Sequence, residues 1–168
     1  MKMNLASAAA VMLVNLPMVS AAQEDSLDRF AGTWSGSGTV QVNFQSQPRD
    51  VSCDLAGVSG GQSISISGTC RAYLVFTRRI GVKLALNPQS QKYTGTYMGS
   101  PAGPAHLSGT MENGSLDLTI TWPKEINGDR TALMRVASDS GSLHITVSDR
   151  VGGEGELRTM TDIALTQS

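Results

Sequence analysis

The chain has 168 residues, a formal net charge of −1 and only 16% charged side chains. It holds no lysine or arginine cluster of the kind that marks a nucleic-acid surface. Helix formers are scarce and no segment keeps a helical period, so a helical bundle is excluded and the class is all-β.

The chain opens with Met1-Lys2 as a short positive start and an apolar run from Leu5 to Leu16. That run is too short for the roughly 20 residues of a membrane helix. "PMVSAAQ" follows, with Ser20 and Ala22 at the offsets signal peptidase reads. Residues 1–22 are therefore expected to be a cleaved signal peptide with no lipoprotein cysteine. Residues 23–168 are expected to form one exported domain, periplasmic or secreted, with no transmembrane segment.

From Trp34 the even positions read Gly36, Gly38, Val40, Val42, Phe44, and the odd positions are polar. This predicts a half-buried strand with its even residues inward. Two glycines on the inner face either permit a sharp bend or leave space inside. Further on, a two-residue turn at Gly61-Gln62 places Gly57 opposite Ile66, Leu55 opposite Gly68 and Cys53 opposite Cys70. Two cysteines so aligned in an exported chain predict a structural cross-strand disulfide.

The middle of the chain predicts a strand ending near Phe76, a turn at Thr77-Arg78-Arg79 and a strand from Ile80 to Leu86. With Leu86 opposite Tyr93, the side chains of Tyr93, Gly95 and Tyr97 point inward. "SPAGPA" is a loop. A type I′ turn at Asn113-Gly114 pairs Met111 with Leu116, Gly109 with Leu118 and Leu107 with Ile120, leaving His106 outward. A turn at Ser140-Gly141 pairs Val136 with Ile145 and Met134 with Val147, with His144 outward. The last hairpin turns through Gly153-Glu154-Gly155. It pairs Val151 with Leu157, Ile145 with Ile163 and Leu143 with Leu165, and it puts Arg158 on the outer face near Arg150.

Hairpins joined this tightly predict an antiparallel up-and-down meander of about eight to ten strands, closed into a barrel because closure removes the exposed edges. Barrels of this size enclose a ligand-sized interior. Asp149 is placed inward near one end. The histidines lie outside on separate hairpins, and no nucleophile, metal or phosphate motif occurs. The expectation is a non-enzyme with no metal and no cofactor.

"LDRFAGTW" resembles the first signature of lipocalins, carried here by Phe30, Gly32 and Trp34. "GTWSGSG" resembles the opening of bacterial calycin-like proteins, the haem-binding nitrobindins among them. The resemblance implies a barrel whose closed end is plugged by Trp34 and sealed by an arginine on the last strand, for which Arg158 is the available residue. The middle lipocalin signature is absent, and the slot where the fatty-acid-binding branch has R-x-Y reads Arg158-Thr159-Met160. A nitrobindin-like haem site would need a histidine near the carboxyl end, and His144 is the only candidate.

The expected function is binding of a small, mostly hydrophobic molecule inside the barrel. Gly36 and Gly38 would widen the cavity, Tyr93 and Tyr97 would line it, Trp122 would stand at the entrance, and Arg78 would meet an acidic group at the mouth. The alternative is a barrel packed solid that contacts an envelope protein partner through its outer face.

Overall fold

A computed structural model describes residues 26–73 and 76–168; the expected signal peptide lies outside them. Ten strands follow in chain order: β1 Gly32–Val40, β2 Arg49–Ser59, β3 Ser63–Ala72, β4 Phe76–Asn87, β5 Lys92–Met98, β6 Ala105–Glu112, β7 Ser115–Ile126, β8 Asp129–Asp139, β9 Ser142–Arg150 and β10 Leu157–Gln167. Each pairs antiparallel with its sequence neighbours, and β1 pairs with β10, so the meander closes into a barrel. No edge is left to template aggregation.

The turn chemistry sets the registers. Asn113 and Gly114 have φ of 49° and 77°, the doubly left-handed backbone of a type I′ turn. That turn places Met111 opposite Leu116, Gly109 opposite Leu118 and Leu107 opposite Ile120. The β2–β3 hairpin sets Cys53 opposite Cys70, and the two sulfurs are bonded. Closing a loop with a sequence separation of 17 residues stabilises the fold by on the order of 3 kcal/mol.

Three local expectations are corrected. The first strand ends at Val40 rather than continuing to Phe44. Asn43 Oδ1 accepts from the backbone N–H groups of Gln45 and Ser46, which folds the chain into a turn and leaves Val42 exposed. Arg78 is not in a turn, because the β3–β4 ladder runs on through Cys70 opposite Arg78 to Ala72 opposite Phe76. In β10 the expected pairs Ile145–Ile163 and Leu143–Leu165 form, but a bulge at Met160 shifts the register beyond it, so Leu157 faces Arg150 and Arg158 faces Asp149.

Of the two roles open to the inward glycines, strand bending and cavity space, the structure shows the first. Gly36 faces Leu165, Gly38 faces Ile163, Gly68 faces Leu55, Gly95 faces Leu84 and Gly109 faces Leu118. A Cβ at Gly38 would run into the carbonyl oxygen of Asp162 and lie 2.6 Å from Ile163 Cα; at Gly36 it would meet Ala164 O and lie 2.7 Å from Leu165 Cα. Gly68, Gly95 and Gly109 are crowded in the same way by the backbone of their partners. The strands coil so tightly that neighbouring backbones nearly touch where the glycine stands, and the partner's large side chain fills the interior there. Gly36 and Gly38 therefore leave no space.

One end of the barrel is plugged. A 3₁₀ turn, Leu27–Phe30, buries Leu27 and Phe30 completely or nearly so. Trp34 Nε1 donates to Phe30 O at 3.2 Å, and Ser138 Oγ donates to Arg29 O at 2.8 Å. Gly57 lets the Phe30 carbonyl approach the β2 backbone. Each of these large apolar side chains contributes about 1.5–3 kcal/mol by burial.

Gly38→Ala is expected to destabilise the protein by about 3 kcal/mol or more, since the overpacking falls on backbone. Gly81 is the control. A Cβ there finds only ordinary contact, 3.5 Å from Ile66 O, so Gly81→Ala should change stability by less than about 1 kcal/mol. Urea unfolding of both variants checks the difference.

Candidate ligand cavity

Apolar alternation on ten strands gives the barrel one greasy interior, but its two halves differ. Leu107, Leu116, Leu118, Leu143 and Leu165 are buried and do not line the cavity, and Leu116, Leu143 and Leu165 stand at the strand ends nearest Trp34 and Phe30. Towards the other end the interior opens into a cavity of about 510 Å³, inside the roughly 300–1,000 Å³ range of small-molecule sites. Its apolar wall includes Val51, Ile66, Val82, Met134, Ile145 and Met160. The hollow half is the mouth half, where β1 and β3 end and β2 and β4 begin.

Polar groups are few and lie towards the mouth. Trp122 is buried in the wall, and its indole Nε1 has no hydrogen-bond partner among the described residues. Tyr97 packs edge-on against it, with ring centroids 6.1 Å apart. Burial pushes the Tyr97 phenol above its ordinary range, against the opposing pull of the Arg78 charge. Arg78 lines the cavity and donates from Nη1 to Gly99 O at 3.1 Å. Arg49, at the start of β2, lines the mouth with only β3 between its strand and that of Arg78. Neither arginine is paired with a carboxylate among the described residues.

Asp149 is the buried acid of the site, 3% exposed. It accepts from Asn127 Nδ2 at 2.7 Å and from the Arg150 backbone N–H at 2.8 Å. Asn127 Oδ1 in turn accepts from Phe44 N–H at 3.1 Å, tying the β1–β2 loop to the β7–β8 turn. Burial raises the carboxyl above its usual value, partly offset by these two hydrogen bonds, with the nearby Asp129 charge acting in the same direction as burial.

Of the residues predicted for the site, Tyr97, Trp122 and Arg78 come together in the cavity wall. Gly36, Gly38 and Tyr93 do not line it. Tyr93 is buried opposite Gly109, in the packed region. Arg158 does not seal the plugged end; it begins β10 at the mouth, exposed, with its guanidinium 5.6 Å from the centre of the Phe44 ring. Trp34 is sealed instead by the Phe30 carbonyl and the 3₁₀ turn. His106 and His144 face outward as expected, and His144 Nε2 lies 2.7 Å from Asp162 Oδ1 on the outer surface. The sequence reading missed Arg49 and Asn127. Arg49 stands two residues before an alternating inward run that begins at Val51, a position from which an inward-parity side chain reaches the rim.

No family model matches the chain, and no curated protein matches it in sequence. Among solved structures it is similar to the crystal structure of Rv2717c from M. tuberculosis, with 14% identity over 84% of this chain and 94% of that one and a TM-score of 0.66. The likeness is one of fold: a closed antiparallel barrel spanning nearly the whole of both chains.

The raised acid gives a pH signature. A carboxyl whose folded pKa lies above its unfolded value of 3.8 binds its proton more tightly in the native state. Its contribution to stability is complete below the unfolded value and is lost as pH rises through the folded one. Asp149→Asn should therefore flatten the loss of stability on raising the pH from about 4 towards neutrality, measured as urea midpoints of the two proteins across that range.

Proposed function

We propose that the protein is a non-enzymatic, calycin-like carrier or sensor of the periplasm or extracellular space. Its ligand is a small amphiphile with an apolar body and an acidic head. The observation that carries this reading is the cavity: an apolar interior of about 510 Å³ whose mouth presents Arg49 and Arg78 without carboxylate partners.

The physical logic is a division of labour. Burial of the ligand's hydrocarbon supplies affinity at about 25 cal/mol per Å². The head group stays at the mouth, where guanidinium groups meet a carboxylate or phosphate with charge-assisted hydrogen bonds. The buried Asp149 shares the mouth, where Asn127 Nδ2 and the Arg150 backbone N–H donate to its carboxylate. The disulfide supports an oxidising compartment, and no helix among the described residues is long and apolar enough to cross a membrane. A nitrobindin-like haem site loses its histidine, since His144 is on the outer face.

Trp122 gives the experiment its reporter. Palmitate added to the purified protein should change tryptophan fluorescence saturably, and Trp122→Phe should remove most of that signal. Losing both mouth charges in Arg49→Ala/Arg78→Ala should weaken palmitate binding about tenfold or more, as expected when charge-assisted hydrogen bonds are lost. Binding of hexadecanol should hold. No saturable response to either amphiphile would contradict the reading.

A further inference from the structure

The charged side chains of the barrel divide by place. On the wall most are paired, Arg71 with Asp54 at 2.9 Å, Arg135 with Asp117 at 3.0 Å and His144 with Asp162 at 2.7 Å, while Lys83, opposite Ser65 and Thr96, is in no ion pair among the described residues. At the mouth, Arg49, Arg78, Arg79, Arg150 and Arg158 are all exposed, and none forms an ion pair among the described residues. Arg78 and Arg150 hold only backbone carbonyls, and Arg158 only the face of an aromatic ring.

The exposed apolar side chains are distributed in the same way. Val42, Tyr73, Phe76, Met98, Val151 and Leu157 are exposed and stand at the mouth. Tyr73 is 69% and Phe76 61% exposed. Other large apolar side chains exposed among the described residues, Val58 near the plug and Leu133 on the wall, stand singly, which is ordinary for a protein surface. The mouth residues instead follow one arc, from the β9–β10 loop past the β1–β2 loop, Tyr73 and Phe76 to the end of β5. The rest of the rim, from β6 to β8, carries Lys124, Glu125, Asp129 and Arg130 and no exposed large apolar side chain.

An arc of apolar and aromatic side chains interleaved with unpaired arginines has the composition that settles into the headgroup layer of a negatively charged bilayer. The five arginines outnumber the exposed acids of the same arc, Asp50, Glu154 and Glu156. The arc also encircles much of the opening of the apolar cavity at the mouth. We infer that the mouth of the barrel docks on an anionic lipid surface, with the β9–β10 and β1–β2 loops, Tyr73 and Phe76 against the headgroups and the β6–β8 rim tilted away. Docked so, the cavity faces the bilayer, and an amphiphile can pass between acyl chains and barrel without crossing water. That consequence rests on the carrier reading; the docking itself does not.

Vesicle co-sedimentation with the full chain tests it. The protein should pellet with phosphatidylcholine vesicles containing phosphatidylglycerol, weakly or not at all with phosphatidylcholine alone, and less as salt is raised. Tyr73→Ser/Met98→Ser removes two exposed side chains that do not line the cavity and should lower vesicle affinity at least tenfold. Val58→Ser should leave it unchanged. If the double variant melts early, Arg79→Gln replaces it, with a smaller loss and a weaker salt dependence expected. Failure to pellet with anionic vesicles, or an equal loss in Val58→Ser, would overturn the inference. So would a concentration-dependent dimer that Tyr73→Ser/Met98→Ser abolishes, which would assign the face to a second copy of the chain. Palmitate titration without vesicles separates the two readings: a protein that binds palmitate but no vesicle keeps the cavity and loses only the docking surface.

Discussion

The barrel depends on one repeated constraint, the approach of neighbouring backbones where an inward glycine faces a leucine or isoleucine. Gly36, Gly38, Gly68, Gly95 and Gly109 occupy such positions, opposite Leu165, Ile163, Leu55, Leu84 and Leu118. A strand must bend strongly to join a closed ten-stranded meander, and the bend brings the inner faces of adjacent strands together. Glycine removes the side chain that would block that approach. Its partner's side chain then occupies the space that two opposed side chains would otherwise share. The curvature and the packing of the interior are consequences of the same pairs.

The consequence for function is an interior in two parts. Around the plug, Trp34, Phe30 and the leucines of β7, β9 and β10 fill the barrel, and the hydrogen bond from the indole to Phe30 fixes the 3₁₀ turn as a lid on that end. Towards the mouth the inward residues include Val51, Ala132, Val147 and Ile145, smaller or less converging side chains that leave a cavity. Hollow barrel and packed barrel, opposed as alternatives by the sequence, each describe one half of the molecule. The chemistry of the open half is also asymmetric, with cationic and hydrogen-bond-donating groups at the mouth and hydrocarbon below.

Much of this is legible in the sequence because period-two alternation and turn residues constrain each other. Asn113-Gly114 and Ser140-Gly141 admit one register that keeps apolar residues opposite apolar residues, and those registers are the ones found. The cysteine pairing follows from the same reasoning. Where the argument fails, the local rule is incomplete. The bulge at Met160 inserts a residue that no alternation signals, and it carries Arg158 and Leu157 to a new register. The turn before β4 lacks glycine, so its position could not be read, and Arg78 was placed in it. The role of Gly36 and Gly38 depends on how near the next strand lies, a three-dimensional distance that parity alone does not contain. The resemblance to lipocalins implied Trp34 at a closed end, where its indole donates to Phe30 O, but assigned its seal to Arg158, which lies at the opposite end of the barrel.

The division into a filled half and a hollow half is the claim on which the functional account rests, and xenon tests it without any knowledge of the natural ligand. In methyl-labelled protein under xenon pressure, the methyl resonances of Ile66, Ile145 and Val147 should shift with saturation. Those of Leu107, Leu116, Leu118 and Leu143 should stay fixed, because a dry apolar cavity takes up such an atom and a close-packed core does not. Shifts spread equally over both sets, or absent from both, would contradict the account.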